Sequence, residues 1–120
     1  MKTILLVDDD ANLRTLVRAT LKDREHRILE AADGKTGLEL ARKERPDLIV
    51  LDWMMPVLTG IEVIKALHED PLTAEIPVIL LTAQAQEDDV KCGLSEGAHA
   101  YLIKPFSPLE LLEKVEEVLA

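Results

Sequence analysis

Short apolar runs punctuate the chain at Ile4 to Val7, Leu48 to Leu51, Val78 to Leu81 and Tyr101 to Ile103, with a weaker one over Arg27 to Ala31. None is long enough for a helix, and their aliphatic and β-branched content predicts five strands. Between them apolar residues recur at helical spacing: Leu13, Leu16, Val17 and Leu21; Leu38 and Ala41; Ile61, Ile64 and Leu67; Val90 and Leu94; Leu109, Leu112, Val115 and Leu119. Gly34, Gly60 and the Ser107-Pro108 pair stand where helices open, while Pro46, Pro71, Pro77 and Gly97 stand where they stop. Strand and helix therefore alternate five times.

A strand apolar on both faces, such as Leu48 to Leu51, belongs in a parallel sheet covered by helices on each side. Strict alternation adds right-handed crossovers, and the prediction is a doubly wound α/β sandwich of three layers. In open sheets of this kind ligands gather at the carboxyl ends of the strands. Asp8 and Asp9 follow the first run, Asp52 closes the third, Thr82 follows the fourth and Lys104 the fifth. Parallel strands put all five on one edge.

Three converging carboxylates repel one another and persist near neutral pH when a cation neutralises them. Oxygen ligands alone suit Mg²⁺, with Mn²⁺ as the alternative. A hydroxyl at Thr82 and an ammonium at Lys104 would hold an anion beside that cation, and Asp52 is placed to accept a phosphoryl group. Taken singly, each residue has an ordinary explanation; Asp10, for example, is expected to cap the helix that starts near Ala11. Their convergence sets the group apart.

With 120 residues, a single domain over 1–120 is expected, with no effector domain. Hydrophobic residues make up 48% and aromatic ones only 2%, so the core must be built from Leu, Ile and Val. A net charge of −9 argues against direct contact with nucleic acid or an anionic membrane. Cys92 is the sole cysteine, which excludes an internal disulfide, and the first apolar run is too brief for a signal sequence or a membrane span. A cytoplasmic location is expected.

Other signals reduce to simpler explanations. Gly34-Lys35-Thr36 imitates the end of a phosphate-binding loop, but Leu29 stands where that loop needs glycine. His26, His68 and His99 lack metal-ligand spacing and are expected to be solvated. Cys92 lies near Glu87, Asp88 and Asp89, which would raise a thiol pKa rather than activate it. Glu113, Glu116 and Glu117 make a solvated face of the last helix.

Several motifs in order resemble the receiver domain of two-component response regulators. They are Ile4-Leu5-Leu6-Val7-Asp8-Asp9-Asp10; Asp52-Trp53-Met54-Met55-Pro56 with Gly60 four residues on; Leu81-Thr82-Ala83; and Lys104-Pro105-Phe106. The resemblance covers the whole chain. It implies a flavodoxin-like (βα)5 fold with strand order 2-1-3-4-5. It implies phosphorylation of Asp52 by a histidine kinase or a phosphotransfer protein, with Mg²⁺ held by Asp9, Asp52 and the main-chain carbonyl of Met54, and with Asp8 acting through metal-bound water. Thr82 and Lys104 would each contact a phosphoryl oxygen, small Ala83 would leave the phosphate accessible, and Lys104-Pro105 resembles the family's cis peptide.

By the same resemblance Thr82 and Tyr101 are the switch pair. They would act on the face built from the helix around Val90 and Leu94, the last strand and the last helix. Asn12, Thr15, Arg18 and Ala19 on the first helix, with Phe106, Ser107 and Pro108, are the expected kinase contact. Such a protein is a switch and not an enzyme toward outside substrates, since it catalyses only its own phosphorylation and dephosphorylation. Its output goes to a downstream protein or to an effector domain absent from this chain. The competing readings are a phosphorylation-independent interaction module with the same fold, and a metal-dependent phosphotransfer enzyme, for which no second acid or base is evident.

The chain departs from its relatives in three places. His99, Ala100 and a last helix with Lys114 but no Arg argue against the usual salt-bridged dimer, leaving a monomer or a weak phosphorylation-dependent dimer. Trp53 beside Asp52 is expected to report on the site by fluorescence. Apolar Met54 cannot orient a hydrolytic water, so the phosphorylated state is expected to last, with Gln84 a partial offset.

Overall fold

Successive residues of a strand point to opposite faces of its sheet, and here that alternation divides the core in two. Leu5 and Val7, Ile49 and Leu51, and Val78 and Leu80 pack with Leu38, Ala41, Val63, Ile64 and Leu67. Their neighbours Ile4 and Leu6, Leu48 and Val50, and Ile79 and Leu81 pack instead with Val17, Leu21, Leu111 and Val115. These strands read as unbroken apolar runs because both faces are covered.

The computed structural model describes residues 2–22, 26–53, 58–82, 98–104 and 106–119. The strands are β1 (Thr3–Val7), β2 (Arg27–Ala31), β3 (Leu48–Asp52), β4 (Val78–Thr82) and β5 (Ala100–Ile103). They form one parallel sheet in the order β2-β1-β3-β4-β5, as the resemblance implied. The described helices are α1 (Ala11–Lys22), α2 (Gly34–Glu44), α3 (Gly60–Glu69) and α4 (Pro108–Leu119). From the packing above, α1 and α4 cover one face and α2 and α3 the other. The helix predicted around Val90 and Leu94, with Cys92 and Gly97, lies outside the described residues.

The helix starts follow from local chemistry. Asp10 accepts hydrogen bonds from the Asn12 and Leu13 N–H groups at 2.9 and 3.3 Å, as expected of a cap. Asp33 caps α2 through the Thr36 N–H, and Thr59 with Glu62 forms a reciprocal capping box on α3. Arg45, in the left-handed region at φ 46°, ends α2 where glycine is the commoner choice. None of the described helices is long and apolar enough to cross a membrane.

Candidate functional site at the carboxyl ends of the strands

Strand register sets the site. Val7 pairs with Leu51, so the next residues, Asp8 and Asp52, leave adjacent strands at the same level. Asp52 pairs with Leu81, which places Thr82 one residue further out on β4. Thr82 pairs with Ile103, so Lys104 stands one residue further still on the edge strand. The functional groups thus step outward across the sheet, and only a long side chain on β5 can reach back to the first two.

Lys104 does reach back. Its Nζ donates to Asp8 Oδ2 and to Asp52 Oδ1, both at 3.1 Å, and its backbone N–H donates to the Thr82 carbonyl at 2.7 Å. Partial burial by itself would lower the lysine pKa, but the Asp52 and Asp8 carboxylates beside it win and hold it above the usual value. Asp8 and Asp52 are 0% and 4% exposed, whereas Asp9 is open to solvent. Carboxylate oxygens of all three lie within 4.8 Å of one another.

Among the described residues, three carboxylates of the cluster face one ammonium, so negative charge predominates there. Hard oxygen donors, two of them buried and a third open to water, are the donor set Mg²⁺ accepts, because that ion keeps part of its hydration shell. The residues present fit a divalent cation. Met54, whose carbonyl was the remaining expected ligand, lies outside the described residues, as do Ala83, Gln84 and Pro105.

Behind Asp52 the chain turns within a narrow space. The Trp53 N–H donates to the Leu81 carbonyl at 2.9 Å, extending the ladder, and the Trp53 carbonyl accepts from the Gly60 N–H at 2.8 Å. A Cβ on Gly60 would stand 2.8 Å from the Asp52 carbonyl oxygen and 2.9 Å from the Trp53 Cα, so only glycine lets α3 begin this close to Asp52.

The remaining predicted residues fall differently. Asn12, Thr15, Arg18 and Ala19 are exposed on α1, as are Ser107 and Pro108. Phe106 corrects the expected contact surface: the residue is only 9% exposed and packs in the core with Leu102 and Leu111, since an aromatic of that size is worth more buried than presented. Tyr101 is 36% exposed, beside an open groove of about 410 Å³ that Ile103, Glu110, Glu113 and Lys114 help to line. His26 is also corrected: it is half-buried, and its Nδ1 has no hydrogen-bond partner among the described residues.

Sequence reasoning missed Arg14. Its Nη1 donates to the Asp8 carbonyl at 2.7 Å, and its Nε lies 3.4 Å from Glu30 Oε1. The available signal was a cation one turn into a helix, where the positive end of the helix dipole disfavours it.

Comparison with known proteins agrees with this geometry. The family model described as the response regulator receiver domain matches residues 4–116. The chain is 43% identical over 118 residues to the phosphate regulon transcriptional regulatory protein PhoB of Pseudomonas aeruginosa, covering 98% of this chain and 52% of that one. It is also 43% identical to the alkaline phosphatase synthesis transcriptional regulatory protein PhoP of Bacillus subtilis, over 98% and 48% of the two. The chain therefore spans about half the length of these curated relatives. Among solved structures, the chemotaxis response regulator CheY4 of Vibrio cholerae superposes with a TM-score of 0.93 at 36% identity, covering 98% of both chains. The Francisella response regulator 1452 receiver domain gives 0.92 at 34% identity, covering 99% of this chain and 97% of that one. Motifs, strand order, site geometry and these matches agree, and the chain belongs to the response regulator receiver domain family.

Proposed function

We propose that this protein is a phosphorylation-controlled signalling switch whose acceptor is Asp52, charged in a Mg²⁺-dependent reaction by a histidine kinase or a phosphotransfer protein. The observation that carries the reading is the burial of Asp52 at the end of β3, 3.1 Å from the Lys104 ammonium and clustered with Asp8 and Asp9.

An Asp52 carboxylate oxygen attacks phosphorus, the bond from phosphorus to the donor imidazole nitrogen breaks, and its electron pair returns to the imidazole. The product is an acyl phosphate. Lys104, already between Asp8 and Asp52, neutralises charge on the phosphoryl oxygens, and the Thr82 hydroxyl supplies a hydrogen bond to one of them. Asp8, Asp9 and Asp52 would hold the divalent cation, which supplies further charge neutralisation when bound. Transmission runs from Thr82 through Lys104 and β5 to Tyr101, whose partial exposure leaves room for its ring to turn. Chemistry is confined to the protein's own acceptor, so it is not an enzyme toward outside substrates. Output passes to a downstream protein or to a further domain; relatives named as transcriptional regulators, about twice as long, fit the second arrangement.

Incubation with Mg²⁺ and acetyl phosphate, followed by intact mass measurement, tests the reading. A phosphoryl adduct on the parent and none on Asp52→Asn is the expected result. Equal labelling of both overturns Asp52 as the acceptor, and labelling of neither overturns the switch and favours a phosphorylation-independent interaction module.

A further inference from the structure

We infer that Arg14 is a positioning residue for the acidic site: with Glu30 as its counter-charge, it clamps the Asp8–Asp9 peptide so that both carboxylates face a divalent cation. The inference rests on the cation-dependent reading of that site.

Of the three clustered carboxylates, Asp9 is the one that burial does not fix, and its direction is set by the peptide that precedes it. That peptide is held on its carbonyl side by Arg14 Nη1 at 2.7 Å. One residue back, the Asp8 N–H donates to the Ala31 carbonyl at 3.1 Å, and Asp8 Oδ1 accepts the Asp10 N–H at 2.9 Å. The turn from β1 into α1 is thus pinned from both strand and helix.

A bare guanidinium this close to the cluster would repel the cation that the cluster attracts. Glu30 removes that conflict. It follows Ile28 on the α1 side of β2 and faces Arg14 Nε at 3.4 Å, and its other oxygen bonds Arg18. The Arg14 and Glu30 side chains are 19% and 28% exposed, so their pairing is screened less than an ordinary surface pair. Arg18, at 59%, is largely solvated. Arg14 therefore gives the peptide a hydrogen bond while Glu30 cancels much of its charge.

The test compares the parent with Arg14→Gln, Arg14→Lys and Glu30→Gln, using Mn²⁺ binding by calorimetry and amide exchange without metal. Groups that orient metal ligands typically change affinity by about 10–100-fold, so Arg14→Gln should weaken Mn²⁺ binding by about tenfold. It should also speed exchange of the Asp10 amide, which depends on Asp8 staying in place. Arg14→Lys restores one donor and the charge, and should recover to within about threefold of the parent. Glu30→Gln keeps the bond but uncovers the guanidinium, so its deficit should appear at low salt and fade at high salt.

Melting points that fall while Mn²⁺ affinity and Asp10 exchange stay at parent values would overturn the clamp and leave Arg14 a fold residue. A deficit in Glu30→Gln indifferent to salt would overturn the counter-charge role. A parent that binds no Mn²⁺ brings down the cation reading and the clamp with it, whereas a parent that binds Mn²⁺ no better than Arg14→Gln brings down the clamp alone.

Discussion

Asp47 and Asp52 bracket the same strand and differ only in which end they occupy. Asp47, exposed before β3, accepts the Thr3 N–H at 2.8 Å while its own N–H donates to the Thr3 carbonyl at 2.7 Å, so it closes off the start of the β1–β3 ladder. Asp52, buried as the last residue of β3, meets a lysine and two further carboxylates. The same side chain meets a backbone N–H beside it at one end and a cluster of charged side chains from distant strands at the other. The difference comes from parallel pairing, which gathers the strands' last residues on one edge.

Exchanging the carboxylates should separate the two ends most sharply. Asp52→Asn is expected to abolish acetyl-phosphate labelling, while Asp47→Asn labels at the parent rate and shows a slightly lower melting point in the same samples. Next in size is Lys104→Met: labelling should fall about a hundredfold, the scale for losing a preorganised charge partner of the transferring group. Mg²⁺ should nevertheless bind this variant more tightly than the parent, since an ammonium no longer competes at the carboxylates; weaker binding would mean the cluster is not overcharged.

Gly60→Ala tests the packing behind Asp52. The added methyl meets backbone that cannot yield cheaply, so roughly 1–3 kcal/mol of stability should be lost on denaturant unfolding. The smallest effect concerns pH at a carboxylate outside the site. Asp33 has its pKa lowered from 3.8, first by the Thr36 N–H it caps, so its contribution is present above that value and lost as pH falls through the depressed one. Asp33→Asn keeps the cap without titrating, and its acid unfolding curve should be flatter than the parent's in that window.

How much of this was legible along the chain follows from burial. β1, β3 and β4 stood out because they are covered on both faces, and β2 was weaker because an edge strand carries Arg27 and Glu30. The residues at the strand ends could be read together once parallel pairing was inferred. What escaped were contacts fixed only by three-dimensional neighbourhood: Arg14 against the Asp8 carbonyl, the ring of Phe106 folded into the core, and the half-burial of His26. Nothing in the spacing of a polar helix face tells which of its cations will reach a strand end.

The reach of Lys104 to Asp8 and Asp52 spans 96 and 52 positions of sequence. During synthesis at about 5–20 residues per second, Asp52 leaves the ribosome roughly 3–10 s before its lysine. A nascent chain that stops after β4 holds Asp52 and the acidic cluster but neither the Lys104 ammonium nor the edge strand that carries Tyr101. On the proposed reading, competence to receive the phosphoryl group and competence to pass it on as a signal therefore arrive together, with the fifth strand of this sheet.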